Sequence, residues 1–328
     1  MSVKILVTGA AGFIGSNLVA ELLRRGHSVV GLDNLSLGTR RNLADVADNP
    51  LFDLRQSDIR DKSAMLDAAK ECEVIVHLAA YKIPRYSDAY ETLMINGFGS
   101  EIVAQTAART GAKIVAASTS DVYGKNPQVP FSEDMDSVIG NPQVKRWAYA
   151  VSKMFEEQLL LACHDRFGND VVLLRFFGGY GPNQNLTWWG GPQAVFIEKA
   201  LDGEPLPVHG DGSQTRSFTY VKDHVAAVAA AVESSRADNL VVNVGTEEEI
   251  SIAALAELIW RLVHGEDSRV EIERIPYESF GKYEDVVRRV PDISRARELL
   301  GFEPKVDLET GLRETIRWQA GLRGHLTR

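Results

Sequence analysis

YAVSK, residues 149–153, places a phenol and an ammonium four positions apart, and so on one face of a helix. A phenol with a pKa of about 10 is a poor base at neutral pH. Lowering it to about 7 takes roughly 4 kcal/mol of preference for the anion, to which an adjacent cation contributes. Tyr149 is then a candidate general base and Lys153 its support. A Y-x-x-x-K alone is common on protein surfaces, so its context decides. Upstream lies STSDVYG (118–124), which follows the apolar run KIVAA and sets two hydroxyls and a carboxylate at the end of a buried strand. Asp121 is there either as a chemical group or as the residue that starts the next turn, a common use of Asp.

A second constellation opens the chain. TGAAGFIG (8–15) spaces Gly9, Gly12 and Gly15 three apart, between an apolar strand and a helical pattern. Such glycines let the backbone turn tightly and approach a pyrophosphate, which then sits on the helix N-terminus. Asp33 follows Gly15 by eighteen residues, where a carboxylate would accept the ribose hydroxyls of NAD and repel a 2′-phosphate. Arg40 and Arg41 would offset that for NADP, but two arginines in a helix are more often solvated, and NAD is the expected cofactor. Asp58, in QSDIRD, either reaches the adenine or caps the helix that comes next.

These groups need a frame. KILVT (4–8), SVVGLD (28–33), VIVHLA (74–79), KIVAAS (113–118) and VVLLRFF (171–177) are continuously apolar, as strands covered on both faces should be. Helical patterns at 13–25, 61–71, 90–110 and 148–167 separate them. The alternation predicts an α/β fold, a Rossmann-type doubly wound parallel sheet over residues 1–180. After about 180 the rhythm breaks into loops, short strands and helices such as 251–263, with Ser251 as N-cap. Residues 181–328 are expected to form a smaller C-terminal lobe, interleaved with the first.

The 328 residues carry 45% hydrophobic and 25% charged side chains, those of an ordinary globular protein. A net charge of −9 argues against nucleic acid or a membrane surface as partner. Cys72 and Cys163 are isolated, with no metal-type spacing, so a reducing cytoplasm and no metal are expected. MSVKILVTGAAGFIG is broken at once by Thr and Gly, unlike a secretory leader, and no run reaches the length of a membrane span.

Together TGAAGFIG, Asp33, SDIRD, HLAA (77–80), STSDVYG, YAVSK, RFFGGYGP (175–182), GDGSQTRSFTYV (210–221) and RRVPD (288–292) closely resemble the extended short-chain dehydrogenase/reductase family, specifically its nucleotide-sugar epimerases, dehydratases and decarboxylases. The resemblance spans nearly the whole chain. It implies NAD in the Rossmann domain and a nucleoside-diphosphate sugar, usually UDP- or dTDP-linked, in the lobe. The implied cofactor site comprises Gly9, Gly12, Phe13, Ile14 and Gly15, then Asp33 and Asn34, Asp58 and Ile59, Leu78, Ala79 and Ala80, with Lys82 near the nicotinamide ribose. Tyr149 would take the sugar's 4-hydroxyl proton while C4 gives hydride to NAD. Lys153 would hold the ribose, and Thr119 would hydrogen-bond the 4-oxygen. On the substrate side the resemblance implies Arg216 and Arg289 on the pyrophosphate, work suited to a planar, permanently charged fork. It also implies Asn96 near the sugar and Gln193 and Val208 at the nucleoside. Gly178 departs from the family's R-x-F-N pattern, whose Asn contacts phosphate; a backbone N–H or the segment NLTWWGGPQ (185–193) would have to replace it. Trp188 and Trp189 in that segment are either a lid or buried lobe contacts.

Members of this family differ in the chemistry after C4 oxidation. Asp121 occupies the position of the Glu in the T-S-E triplet of decarboxylases and 4,6-dehydratases. It is shorter by one C–C bond, about 1.5 Å, and catalytic geometry is unforgiving at that scale. With Lys82, this favours 4-epimerisation, with Asp121 as turn former. A decarboxylase or dehydratase that uses Asp121 is the alternative; a non-catalytic NAD sensor is a third, opposed by the presence of both Tyr149 and Lys153. A homodimer paired through helices 90–110 and 148–165 as a four-helix bundle is expected from the same resemblance.

Overall fold

The computed structural model describes residues 2–82, 88–280, 282 and 284–326. Strands β1 (Lys4–Thr8), β2 (Ser28–Asp33), β3 (Phe52–Gln56), β4 (Val74–His77), β5 (Lys113–Thr119) and β6 (Val171–Phe176) join one parallel sheet. Helices α1 (Phe13–Arg24), α2 (Lys62–Ala68), α3 (Ala89–Thr110) and α4 (Trp147–Phe167) alternate with them. Short β7 (Gly179–Tyr180) leads away to α5 (Pro192–Asp202), β8 (Leu206–His209), β9 (Thr215–Arg216) and β10 (Thr219–Tyr220). Then α6 (Val221–Glu233) and β11 (Leu240–Val244) return to the sheet. The chain ends in β12 (Ile250–Ser251), α7 (Ile252–His264), β13 (Ile272–Ile275), α8 (Ser294–Leu300) and α9 (Leu308–Leu326).

The sheet order is β11-β6-β5-β4-β1-β2-β3, so it reverses between β1 and β4. In such sheets ligands bind at the carboxyl ends of the strands on either side of the reversal. Thr8, Asp33, His77 and Thr119 all end strands there.

The central strands are buried on both faces, as their unbroken apolar runs require. The two strands absent from the pattern of apolar runs, β3 and β11, are the sheet's edges; FDLRQ mixes polar with apolar residues because its edge is more open to solvent, whereas the one polar residue of LVVNV, Asn243, is buried and donates to Phe131 O and Asp292 O. Ser251 caps α7, its hydroxyl accepting the Ala254 N–H at 3.1 Å. Among the described residues no helix is long and apolar enough to cross a membrane. No group of three or more His, Cys, Asp or Glu among them could hold a metal.

Candidate active site

The β1–α1 turn is shaped by what its glycines leave out. Gly9 has φ +70°, its N–H donates to Leu32 O at 2.8 Å, and a Cβ there would lie 2.9 Å from the Ala79 nitrogen. A Cβ on Gly15 would overlap the Gly9 carbonyl oxygen. Gly12 is the N-cap of α1, and no side chain caps that helix, so its first amides, from Phe13 to Gly15, face outward for an anion. Thr8 Oγ1 accepts the N–H groups of Leu78 (3.2 Å) and Ala79 (3.3 Å), which brings the HLAA segment, with Ala80, against the turn. The buried Asp33 carboxylate accepts from Ala11 N at 2.9 Å and Leu35 N at 2.8 Å. Each oxygen keeps a lone pair for a ribose hydroxyl. This cradle fits a dinucleotide.

At its far edge Asn34 Nδ2 donates to Asp58 at 3.0 Å. Asp58 also binds Arg60 through its backbone N–H and, at 2.9 and 3.0 Å, its guanidinium. That contact, outweighing partial burial, holds the Asp58 carboxyl down at about 2. Asp58 is no helix cap; Asp61 caps α2, accepting from Ser63 and Ala64. Ile59 turns its side chain into the core against Gly99, so only its backbone can face a cofactor. Arg40 donates to Gln56 on the edge strand, and Arg41 is exposed.

Tyr149 and Lys153 share a face of α4. Tyr149 lies beside Thr119; burial first, then the charges of Asp121 and Glu156, hold its phenol well above its ordinary value. Lys153, 1% exposed, donates to Ala117 O at 2.8 Å and to both oxygens of Glu156 at 2.8 and 3.0 Å.

Asp121 answers the question its position raised. The turn after β5 is capped by Thr119, whose hydroxyl accepts the Asp121 N–H at 3.2 Å. The Asp121 side chain instead faces a cavity of about 290 Å³, where it receives Arg289 at 2.8 Å and Arg146 at 3.2 Å. Burial would push its carboxyl up, but the two guanidiniums outweigh it and keep it far below the usual carboxylate range. Its role as a turn former is therefore corrected.

From there charges run in a chain. Arg146 also binds Asp285 at 3.0 Å, and Asp285 receives Arg216 at 2.9 Å and the Tyr277 hydroxyl at 2.5 Å. Lys82 and Tyr149 line the same cavity, as do Trp188, Pro207, His209 and Gln214. Trp188 stacks on His209 with centroids 4.3 Å apart, whereas Trp189 meets the edge of Tyr81.

Three side chains expected on the substrate side, those of Asn96, Val208 and Gln193, do not line the cavity. Asn96 is buried and saturated: Oδ1 accepts Tyr81 N at 2.8 Å, and Nδ2 donates to Tyr81 O and Ser152 Oγ. It clamps the segment before Lys82 to α4 and does not line the cavity. Along β8 the alternation of a strand turns Pro207 and His209 to the cavity and buries Val208 at 1% exposure. Gln193 is buried behind Gly191 and Pro192, which do line it. Gly178, at φ +20°, lines the cavity, and any side chain there would overlap the Ser217 carbonyl. No Asn fits at that position, because the Ser217 backbone occupies the space.

Arg146 and Asp285 are site residues that sequence reasoning missed. Arg146 was detectable, since it stands three residues before Tyr149 at the start of the same helix. Asp285 carried no local signal.

A strand-turn-helix cradle opening beside a Tyr–Lys pair on one helix face is the arrangement of the extended short-chain dehydrogenases/reductases. Within that class, residues 6–315 match the family model described as GDP-mannose 4,6 dehydratase, and the chain belongs to this family of enzymes. It is 37% identical to the UDP-N-acetyl-alpha-D-glucosaminuronate decarboxylase of Bacillus cytotoxicus, over 97% of this chain and 98% of that one. Identity to UDP-glucuronic acid decarboxylase 1 of Danio rerio is 36%, over 96% of this chain and 72% of the relative. Among solved structures, a mutant UDP-glucuronic acid 4-epimerase from Bacillus cereus, in complex with UDP-4-deoxy-4-fluoro-glucuronic acid and NAD, superposes with a TM-score of 0.87 at 28% identity, covering 97% of this chain and 99% of that one.

Proposed function

We propose that the protein is an NAD-dependent decarboxylase of a UDP-linked hexuronic acid, rather than a 4-epimerase. The observation that carries this reading is the charge chain: Asp121 and Asp285 are each shared between arginines in the cavity that Tyr149 lines. Three guanidiniums and Lys82 stand against two carboxylates, leaving positive charge for a diphosphate and a further carboxylate. The names of the two relatives support it.

The glycine turn and Asp33 would hold NAD, which would supply the acceptor, and later the donor, of the C4 hydride. Tyr149 takes the 4-hydroxyl proton, with Thr119 on the same oxygen and Lys153 beneath. The product is a ketone at C4 with a carboxylate on the neighbouring C5. In such a β-keto acid the C5–C6 bond breaks with its electron pair passing toward the C4 oxygen, CO2 leaves, and the enolate takes a proton from solvent at C5 before the ketone is reduced again. Asp121, ionised and doubly paired, keeps Arg146 and Arg289 aligned; a proton donor at C5 it is not, since its carboxyl is held ionised. Arg216 and Arg289 serve the diphosphate, Arg146 the sugar carboxylate, and Trp188 with His209 the nucleoside end.

Product analysis by mass spectrometry and NMR, after incubation with UDP-glucuronate, UDP-N-acetylglucosaminuronate and UDP-glucose, tests the reading. A pentose product lacking CO2 is expected from a uronate. An isobaric sugar from either uronate would return the protein to the epimerases.

We also propose that α3 and α4 pair with those of a second copy. They leave Tyr90, Leu93, Phe98, Val151 and Phe155 exposed, an apolar surface on two packed helices. A dimer by light scattering, lost in Phe155→Glu, is the expected result.

A further inference from the structure

Beneath Tyr149 lies a polar cluster that the proposed reaction does not use. Glu156 is 1% exposed, bound to Lys153 through both oxygens, and held by Ser100 Oγ at 2.9 Å. His77, at the end of β4, is fully buried with Nε2 4.0 Å from Glu156, while its Nδ1 lies 2.8 Å from Thr8 Oγ1. Burial holds this imidazole down at about 4, so it is neutral and brings no cation to the carboxylate.

An ammonium has three N–H donors. Those of Lys153 face three acceptors, the Ala117 carbonyl and the two oxygens of Glu156. A cofactor ribose or the Tyr149 oxygen can therefore claim a Lys153 proton only by displacing one of these acceptors, two of which belong to Glu156. The same carboxylate cancels part of the positive charge that Lys153 presents to the phenol.

We propose that Glu156 is a positioning residue acting through Lys153, dividing the ammonium between itself and the cofactor ribose and so setting the pH at which Tyr149 can accept the sugar's proton. The inference rests on the roles proposed for Tyr149 and Lys153. The other charges around Tyr149 come from separate elements: Asp121 after β5, Lys82 after β4, Arg289 from the C-terminal lobe and Arg146 from the start of α4. None of them is changed by altering Glu156.

Glu156→Gln keeps the side chain's size and an acceptor for Lys153 but removes the negative charge. The tyrosinate anion is then favoured, and because activity is lost as pH falls through the base's pKa, the acid limb of the kcat profile moves down by about one pH unit. Ultraviolet titration of tyrosinate, read against the same protein carrying Tyr149→Phe, follows the phenol directly in NAD-loaded enzyme and should move equally. That titration needs no turnover, so it reports the coupling even if the sugar chemistry proves different. Glu156→Asp, which keeps the charge, should stay near the wild-type profile. Should the Gln variant not fold, Ser100→Ala concentrates the carboxylate's charge on Lys153 and moves the limb upward. Unchanged titrations, a shift of opposite sign, or equal shifts for Gln and Asp would overturn the proposal.

Discussion

At the β1–α1 turn, recognition is a matter of backbone: Gly9 and Gly15 are required because a Cβ would collide, and Asp33 is fixed by two amides of its own neighbourhood. Across the cavity, the parts are long side chains from distant segments, with Arg146, Arg216 and Arg289 held in place by Asp121 and Asp285. A cradle made of backbone tolerates changes that leave its turn intact. A cavity made of paired charges does not, because removing one partner leaves another buried without compensation.

Tyr149 lies where the two regions meet, and its loss should have the largest effect. Tyr149→Phe is expected to retain fold and NAD while turnover falls by about 10² to 10⁴, measured as product formed per active site. Near wild-type turnover would remove Tyr149 from the base's role.

In the cavity, Asp121→Asn deprives two guanidiniums of their shared anion and should cost on the order of 10² in kcat/KM for a uronate. The dissociation constant for NAD should stay put. A loss within tenfold would mean that the arginines hold their places unaided.

The seam between the regions is tested by pH. His77 bonds Thr8 of the cradle strand, and His224 packs on Phe176 at a centroid distance of 4.7 Å; burial holds each down at about 4. Unfolded, each titrates near 6.5, so between about 6.5 and 4 the unfolded chain binds protons that the folded one refuses. Stability is fully present above that window and falls as pH drops through it. Urea unfolding should show a loss on the order of 3–4 kcal/mol between pH 7 and pH 5, about half that in His224→Asn. A flat profile would show that other groups compensate.

The smallest effect is expected at the cradle itself. Asp33→Asn keeps one oxygen for the backbone amides and should weaken NAD about tenfold while narrowing its margin over NADP, as cofactor titration would show. No change in the NAD:NADP ratio would pass the discrimination to Arg40 or Arg41.

The same contrast explains how much of the fold and site is legible in the sequence. Buried parallel strands announce themselves as apolar runs, so β1, β2, β4, β5 and β6 were legible and the edge strands β3 and β11 were not. TGAAGFIG and YAVSK were legible because their groups are local in sequence. Asp121 was visible but its direction was not, since a turn-starting Asp and a cavity-facing Asp look alike until Thr119 is seen to cap the turn. Asp285 depends on Arg146 and Arg216, 139 and 69 residues away, and no local pattern encodes such a pairing. Val208 and Gln193 are a finer case. Their segments are at the site, but strand alternation and helix rotation turn those two side chains inward while Pro207, His209, Gly191 and Pro192 take the wall.

The central claim, that this cavity removes the carboxylate of a nucleotide-linked uronic acid after C4 oxidation, meets its most direct test in one assay. UDP-glucuronate and UDP-N-acetylglucosaminuronate, each labelled with isotopic carbon at C6, are incubated with the NAD-loaded enzyme and the evolved CO2 is trapped. Labelled CO2 released with first-order dependence on enzyme, and absent with Tyr149→Phe, is the predicted result. Full turnover of either uronate with all label retained in the sugar would contradict it.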